Sequence, residues 1–202
     1  MSGEIGEKSF MISEEVNRAK TIKNFISKAD CEYLIQAAYR LNAWESGGNE
    51  FWDDRVINYT TMLGYDKKAA AVMLDANVRC KEFIDNNFDC IKPVYSDTLQ
   101  LIRWFPGMEQ QPHIDDMTNT DIKGFDHRMF GSIIYLNNNY EGGRTFYPNF
   151  NFEIIPEQGK LAVHPGDADH LHGVTKIYGN VRYTIASFWT YDKDKSVDWQ
   201  VY

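Results

Sequence analysis

The chain has 202 residues, 43% of them hydrophobic, which suits one compact domain or one domain with a small helical annex. The formal net charge is -8 and there is no basic run, so a nucleic-acid partner is not expected. No stretch approaches the roughly 18 apolar residues that span a bilayer, and the start, Met1-Ser-Gly-Glu-Ile-Gly-Glu7, is neither basic nor apolar enough for a signal peptide, so no membrane partner is expected either.

Residues 1–20 are polar and read as an arm or an edge strand. Ser27-Lys-Ala-Asp30 is a capping box in its Asp form. Behind it, Cys31, Leu34, Ile35, Ala38 and Leu41 recur at helical spacing. Residues 42–64 carry a Gly-Gly pair and scattered aromatics and read as a long loop or short strands. Asp66 can cap a second helix running to about Asn87, with Ala70, Met73, Leu74, Val78 and Ile84 on its apolar stripe. The three cysteines, Cys31, Cys80 and Cys90, form no CxxC and fit a reduced, cytoplasmic compartment.

From about residue 92 the pattern changes to short strands separated by turn signals: Thr98–Phe105, Phe130–Leu136, Phe152–Ile155, Lys160–His164, His170–Val174 and Arg182–Trp189. The Asn137–Gly143 run is a loop rich in residues that tolerate unusual backbone angles. Helices over 1–91 and an antiparallel β core of two facing sheets over 92–191, packed as one unit, are the expected organisation.

Within the β region, His113 and Asp115 are one residue apart, so in a strand both side chains point to one face. A third histidine from another strand would complete two imidazoles and one carboxylate, a set that holds Fe(II) and leaves positions open for oxygen and a bidentate cosubstrate. Zinc accepts the same donors. His164, His170 and His172 are all candidates for the distal position, and spacing does not separate His170 from His172. Arg182 alternates with Thr184 on a predicted strand face, where a guanidinium can meet a carboxylate as a bidentate pair.

The pieces Pro106-Gly107, Pro112-His-Ile-Asp115, Tyr135-Leu-Asn137, Glu141-Gly-Gly-Arg-Thr-Phe-Tyr-Pro148, Pro156-x-x-Gly159, Leu171-His-Gly-Val174 and Gly179-x-x-Arg182 occur in this order. Residues 96–190 thereby resemble the prolyl 4-hydroxylase-like branch of the Fe(II)/2-oxoglutarate-dependent dioxygenases. The resemblance implies a mainly β fold, a double-stranded β-helix or jelly roll, with supporting N-terminal helices. It also implies His172 as the distal ligand, Arg182 as partner of the 5-carboxylate of 2-oxoglutarate, and Thr184 and Tyr135 as helpers. Fe(II), 2-oxoglutarate and O2 are the implied cofactors, with ascorbate as an accessory. The implied reaction couples 2-oxoglutarate decarboxylation to hydroxylation of a prolyl residue in a peptide or protein. Another side chain, a free amino acid or a small metabolite as substrate, and a non-catalytic binding module, are the alternatives.

The sequence departs from the family where tyrosines are common, since Trp104 and Gln110 stand nine and three residues before His113. Arg144 replaces a usual acidic residue and is a candidate substrate contact, as is Asp116. His164 occupies a usually hydrophobic position and could serve behind the ligands or in the groove. The polar segment 116–128 is expected to frame the entrance as a mobile loop.

Overall fold

The computed structural model describes residues 12–16, 19–45, 50–115 and 127–199. Two short N-terminal strands, β1 (Ile12–Val16) and β2 (Ala19–Ile22), precede helix α1 (Lys28–Leu41). The Ser27 hydroxyl accepts from the Asp30 amide at 3.0 Å and donates back to the Asp30 carboxylate at 2.6 Å, closing the capping box expected there. The 42–64 stretch holds a 3-10 turn (Glu50–Trp52), β3 (Val56–Asn58) and a short helix, α2 (Tyr59–Tyr65), that its periodicity did not announce. Helix α3 (Lys67–Asn87) starts at Asp66, whose carboxylate accepts from the Ala69 amide at 3.0 Å.

The buried residues of α3 recur every three or four positions, from Ala69 and Ala70 through Met73, Ala76 and Cys80 to Phe83 and Ile84. That stripe packs on β4 (Tyr95–Trp104) and removes the helix's apolar face from water. Asn77 is the polar exception in the stripe, and its amide donates to Ser96 at 3.2 Å and to Ser187 at 3.1 Å.

The remaining strands are β5 (Gln110–His113), β6 (Arg128–Tyr135), β7 (Thr145–Tyr147), β8 (Phe152–Ile154), β9 (Leu161–Pro165), β10 (His172–Val174) and β11 (Arg182–Thr190). They form a seven-stranded antiparallel sheet in the order β1-β2-β9-β6-β11-β4-β3 and a four-stranded one in the order β5-β10-β7-β8. Strands from the N-terminal third thus form both edges of the large sheet.

This corrects the expected mainly β jelly roll. The fold is mixed α/β with two open antiparallel sheets. Each sheet ends in edge strands, β1 and β3 in one and β5 and β8 in the other, and neither closes into a barrel. Closure requires edge strands to hydrogen-bond to one another. Alternating short strands and turns encode antiparallel pairing between neighbours and carry no information about whether the last edge meets the first.

Removing the α3 cap tests the helical layer. Burial opposes ionisation of Asp66, but the Ala69 amide, the Tyr33 hydroxyl and Arg40 outweigh it and hold the carboxyl below its ordinary range. A depressed folded value stabilises the protein above the unfolded pKa, and that contribution is lost as pH falls through the folded one. D66A is expected to cost about 1 kcal/mol at neutral pH in urea unfolding, and the difference from wild type should shrink in acid. An unchanged midpoint at neutral pH would show that the cap contributes nothing.

Candidate metal and cosubstrate site

Antiparallel pairing of β5 with β10 places His113 directly opposite His172. Their ring centroids are 4.5 Å apart. Asp115 reaches the same point by a different route from the one expected. The strand stops at His113, and a bend at Asp115, rather than a shared strand face, turns its carboxylate inward. His113 Nε2 lies 3.9 Å and His172 Nε2 3.8 Å from Asp115 Oδ1. The three ligand atoms lie within 4.8 Å of one another. Donors bonded about 2.1 Å from one ion lie up to about 4.2 Å apart, so a modest contraction closes this set on a metal.

The imidazoles are held in the tautomer that ligation needs. His113 Nδ1 lies 3.0 Å from the Gln111 carbonyl and His172 Nδ1 3.0 Å from the His170 carbonyl. A carbonyl only accepts, so each Nδ1 carries the proton and each Nε2 offers a lone pair. Burial and then the neighbouring His164 push His172 down to about 3, so it is neutral at physiological pH. Burial alone would raise the Asp115 carboxyl, but His172, His164, His113 and Arg128 outweigh it and hold it below the ordinary range. Asp115 Oδ2 is buried without a hydrogen-bond partner, an acceptor whose deficit a cation relieves. Two imidazoles and a carboxylate on one side of an open cavity suit Fe(II) with free positions, and these residues fit the metal.

The other two distal candidates separate cleanly. His170 lies in the 3-10 turn Ala168–His170 rather than in the strand, and its Nδ1 meets Asp167 Oδ1 at 2.6 Å. His164 lies in β9 with its Nδ1 3.1 Å from the Pro165 carbonyl and its Nε2 3.8 Å from Asp115 Oδ2, the oxygen the two ligand imidazoles do not share. Its register partner across the sheet is Gly131. A Cβ there would come within 2.3 Å of Asp115 Oδ2 and 2.9 Å of the His164 ring, so only glycine leaves room for this pair.

The triad lies in a cavity of about 350 Å3. Period-two alternation on β11 and β4 supplies one wall, including Arg182, Thr184, Ile102 and Trp104. Arg182 is 1% exposed, and its Nε and Nη2 have no hydrogen-bond partner. Its guanidinium lies 5.2 Å from the Trp104 ring and 5.3 Å from the Tyr135 ring. The Tyr135 hydroxyl is 2.7 Å from Thr145 Oγ1. The Tyr140 hydroxyl is buried without a partner, and burial pushes it up to about 12 against the pull of Arg182, so it remains a donor. Gly143, at φ +60°, leaves the space that Arg182 and Tyr140 share, since a Cβ there would lie 2.9 Å from Arg182 Cδ and 2.8 Å from Tyr140 Cε2.

Not every sequence candidate reaches this cavity. Gln110, at an expected tyrosine position, lines it with its amide nitrogen 3.3 Å from His113 Nε2. Arg144 is exposed, pairs with Glu153 at 2.8 Å and does not line the cavity. Asp116 and most of the 116–128 segment lie outside the described residues. Sequence reasoning missed Tyr140, Thr145 and Gly131. The Glu141-Gly-Gly run pointed to the neighbourhood of the first two, and nothing in the sequence marked the third.

Metal affinity checks this arrangement. H172A is expected to lower Mn(II) or Fe(II) affinity in equilibrium dialysis by more than the ten- to about hundredfold typical of changes outside the ligand shell, with H170A near wild type. G131A, which drives a methyl into Asp115 and His164, should also weaken the metal. Loss on H170A with retention on H172A would move the distal ligand to His170.

Comparison with known proteins agrees with this geometry. Residues 99–191 match the model of the 2OG-Fe(II) oxygenase superfamily. The chain is 31% identical over 157 residues to a probable prolyl 4-hydroxylase 3 of Arabidopsis thaliana, covering 72% of this chain and 51% of the relative. It is 22% identical over 173 residues to a putative prolyl 4-hydroxylase of Acanthamoeba polyphaga mimivirus, covering 75% and 62%. The chain therefore spans about half to three-fifths of the length of these curated relatives. In fold it is similar to the viral collagen prolyl hydroxylase of Paramecium bursaria Chlorella virus-1, with a TM-score of 0.68 at 19% identity, covering 95% of this chain and 99% of that one. A Pseudomonas putida prolyl-4-hydroxylase superposes with a TM-score of 0.62 at 16% identity, covering 86% and 93%. With its triad assembled in the cavity, the chain is thus similar over residues 99–191 to the 2OG-Fe(II) oxygenase superfamily, and the curated relatives it resembles are a probable and a putative prolyl 4-hydroxylase.

Proposed function

We propose that the protein hydroxylates prolyl residues of a peptide or protein, using Fe(II), O2 and 2-oxoglutarate. The observation that carries the reading is a buried guanidinium with two unmatched N–H groups in the cavity that holds the triad. His113, Asp115 and His172 would hold the iron. Arg182 would take the far carboxylate of 2-oxoglutarate, with Thr184 from the same strand face as a further donor and Tyr140 packed behind Arg182. Tyr135 supports that end by packing on Arg182. Iron bound there would supply the oxidation chemistry that couples release of succinate and carbon dioxide to hydroxylation.

The chain's own part is neutralisation, orientation and exclusion of water. Arg182 neutralises a carboxylate in a low-dielectric wall, where a charge-assisted pair is stronger than in water. Trp104, Ile102 and Val174 keep that end of the cavity apolar. Trp104 replaces an expected phenol, so the cosubstrate-binding donors come from Arg182 and Thr184 rather than from the family's usual tyrosine.

Prolyl substrates are supported by the names of the relatives and by a Trichoplax adhaerens prolyl hydroxylase of the same fold, solved with a hypoxia inducible factor peptide fragment (TM-score 0.60, 20% identity). The three free thiols fit the reducing, cytoplasmic compartment we propose. Among the described residues no helix is long and apolar enough to cross a membrane.

The test is succinate release with ascorbate present, together with mass spectrometry of a proline-containing peptide library. Succinate should require iron, 2-oxoglutarate and peptide together, and the product should gain one oxygen atom on proline. Oxidation of a free metabolite with no peptide product would replace this substrate class. R182A should weaken 2-oxoglutarate by about a hundredfold or more, the loss expected when a buried charge pair is broken, while leaving metal affinity near wild type. Unchanged 2-oxoglutarate affinity in R182A would remove its role.

A further inference from the structure

A second buried cation stands behind the cavity wall. Arg55, immediately before β3, is fully buried. Its Nε donates to the Arg103 carbonyl at 3.1 Å and its Nη1 to the Phe51 carbonyl at 2.5 Å, but its Nη2 has no partner. Its guanidinium carbon lies 4.4 Å from the Phe51 ring, 4.5 Å from Trp52 and 4.1 Å from Trp104. Trp52 and Trp104 both line the cavity, and Trp104 carries Arg182 as well. Two guanidiniums therefore share one indole.

Among the described residues no carboxylate pairs with either guanidinium, and among them Asp115 is the only acidic side chain lining the cavity. Aromatic faces offset part of the cost of burying such charges. They do not cancel two like charges in a low-dielectric wall, where repulsion is strong and unpaired ions are expensive. A purely structural clamp between the 3-10 turn and β4 would need only the two backbone bonds. It would not explain why a second unmatched positive charge is placed beside Arg182. Burial and then Arg182 pull Arg55 down to about 10, which leaves it cationic at neutral pH.

We propose that Arg55 is a positioning residue for the cosubstrate: a second positive charge, acting beside Arg182 and through Trp104, that makes the cavity select a 2-oxo acid with a far carboxylate. The inference rests on the 2-oxoglutarate reading above and adds a residue to it. Arg55 does not touch the ligand, since it does not line the cavity. Its charge raises the potential at the far carboxylate, and its stacking holds Trp104 against Arg182.

The test is a pair of dissociation constants on the Mn(II)-loaded protein without oxygen, for 2-oxoglutarate and for 2-oxopentanoate, which has the same chain length and a methyl in place of the far carboxylate. In R55M the preference for 2-oxoglutarate should fall about tenfold, the size of effect expected from losing one partly screened buried charge. R55K keeps the charge and should keep most of the preference even if it is less stable. Equal weakening of both ligands in R55M, with the preference intact, would reduce Arg55 to a structural clamp and overturn the proposal. If R55M does not fold, R55K decides: a lost preference there would show that charge is not the cause. Wild type without any preference would instead defeat the 2-oxoglutarate reading itself, before any variant is measured.

Discussion

The constraint on which this structure turns is the burial of opposite charges at two ends of one cavity, each with polar atoms left without a hydrogen bond. Asp115 Oδ2 at one end and Arg182 Nε and Nη2 at the other are buried with no hydrogen bond. Folded proteins seldom leave such groups unmatched, because each costs free energy that must be recovered elsewhere. A divalent cation satisfies the first end and a carboxylate the second. A molecule that chelates the metal and carries a further carboxylate satisfies both at once, which is the chemistry of 2-oxoglutarate.

The fold explains how the two ends stay in register. β11 is flanked by β6 and β4, and its register pairs Arg182 with Trp104 and Thr184 with both Tyr135 and Ile102. The Arg182 end of the cavity is therefore built on the interior of the large sheet. The metal end is built on the small sheet, where β5 and β10 bring His113 and His172 face to face. The helices stiffen the large sheet from behind through the α3 stripe on β4. Rigid strands rather than loops carry both imidazole ligands, and preorganisation of that kind lowers the cost of binding.

Much of the site was legible in the sequence because its chemistry depends on short spacings. The capped starts of both long helices and the alternating Arg182 strand are local patterns that survive folding, whereas His113 and Asp115 meet at one point through a bend at Asp115 rather than through a shared strand face. Non-local features were not legible. His170 and His172 share a parity in the sequence, yet Asp167 caps a 3-10 turn that removes His170 from the strand. Tyr140 lies against Arg182 only because Gly143 leaves room for both. Gly131 matters because β9 happens to set His164 against it. Arg144 looked like a groove residue until β8 supplied Glu153. The jelly-roll expectation failed for the same reason, since the meeting of distant edge strands is not written in any local pattern.

The proposed function requires one cavity to bind a metal through the triad and 2-oxoglutarate on that metal. The most direct measurement is anaerobic titration of the Fe(II)-loaded protein with 2-oxoglutarate, followed by visible absorption. A metal-to-ligand charge-transfer band that saturates at one equivalent, and is absent when the protein lacks iron, is the expected result. Saturable 2-oxoglutarate binding with no such band, or no binding to the iron-loaded protein, would contradict the account.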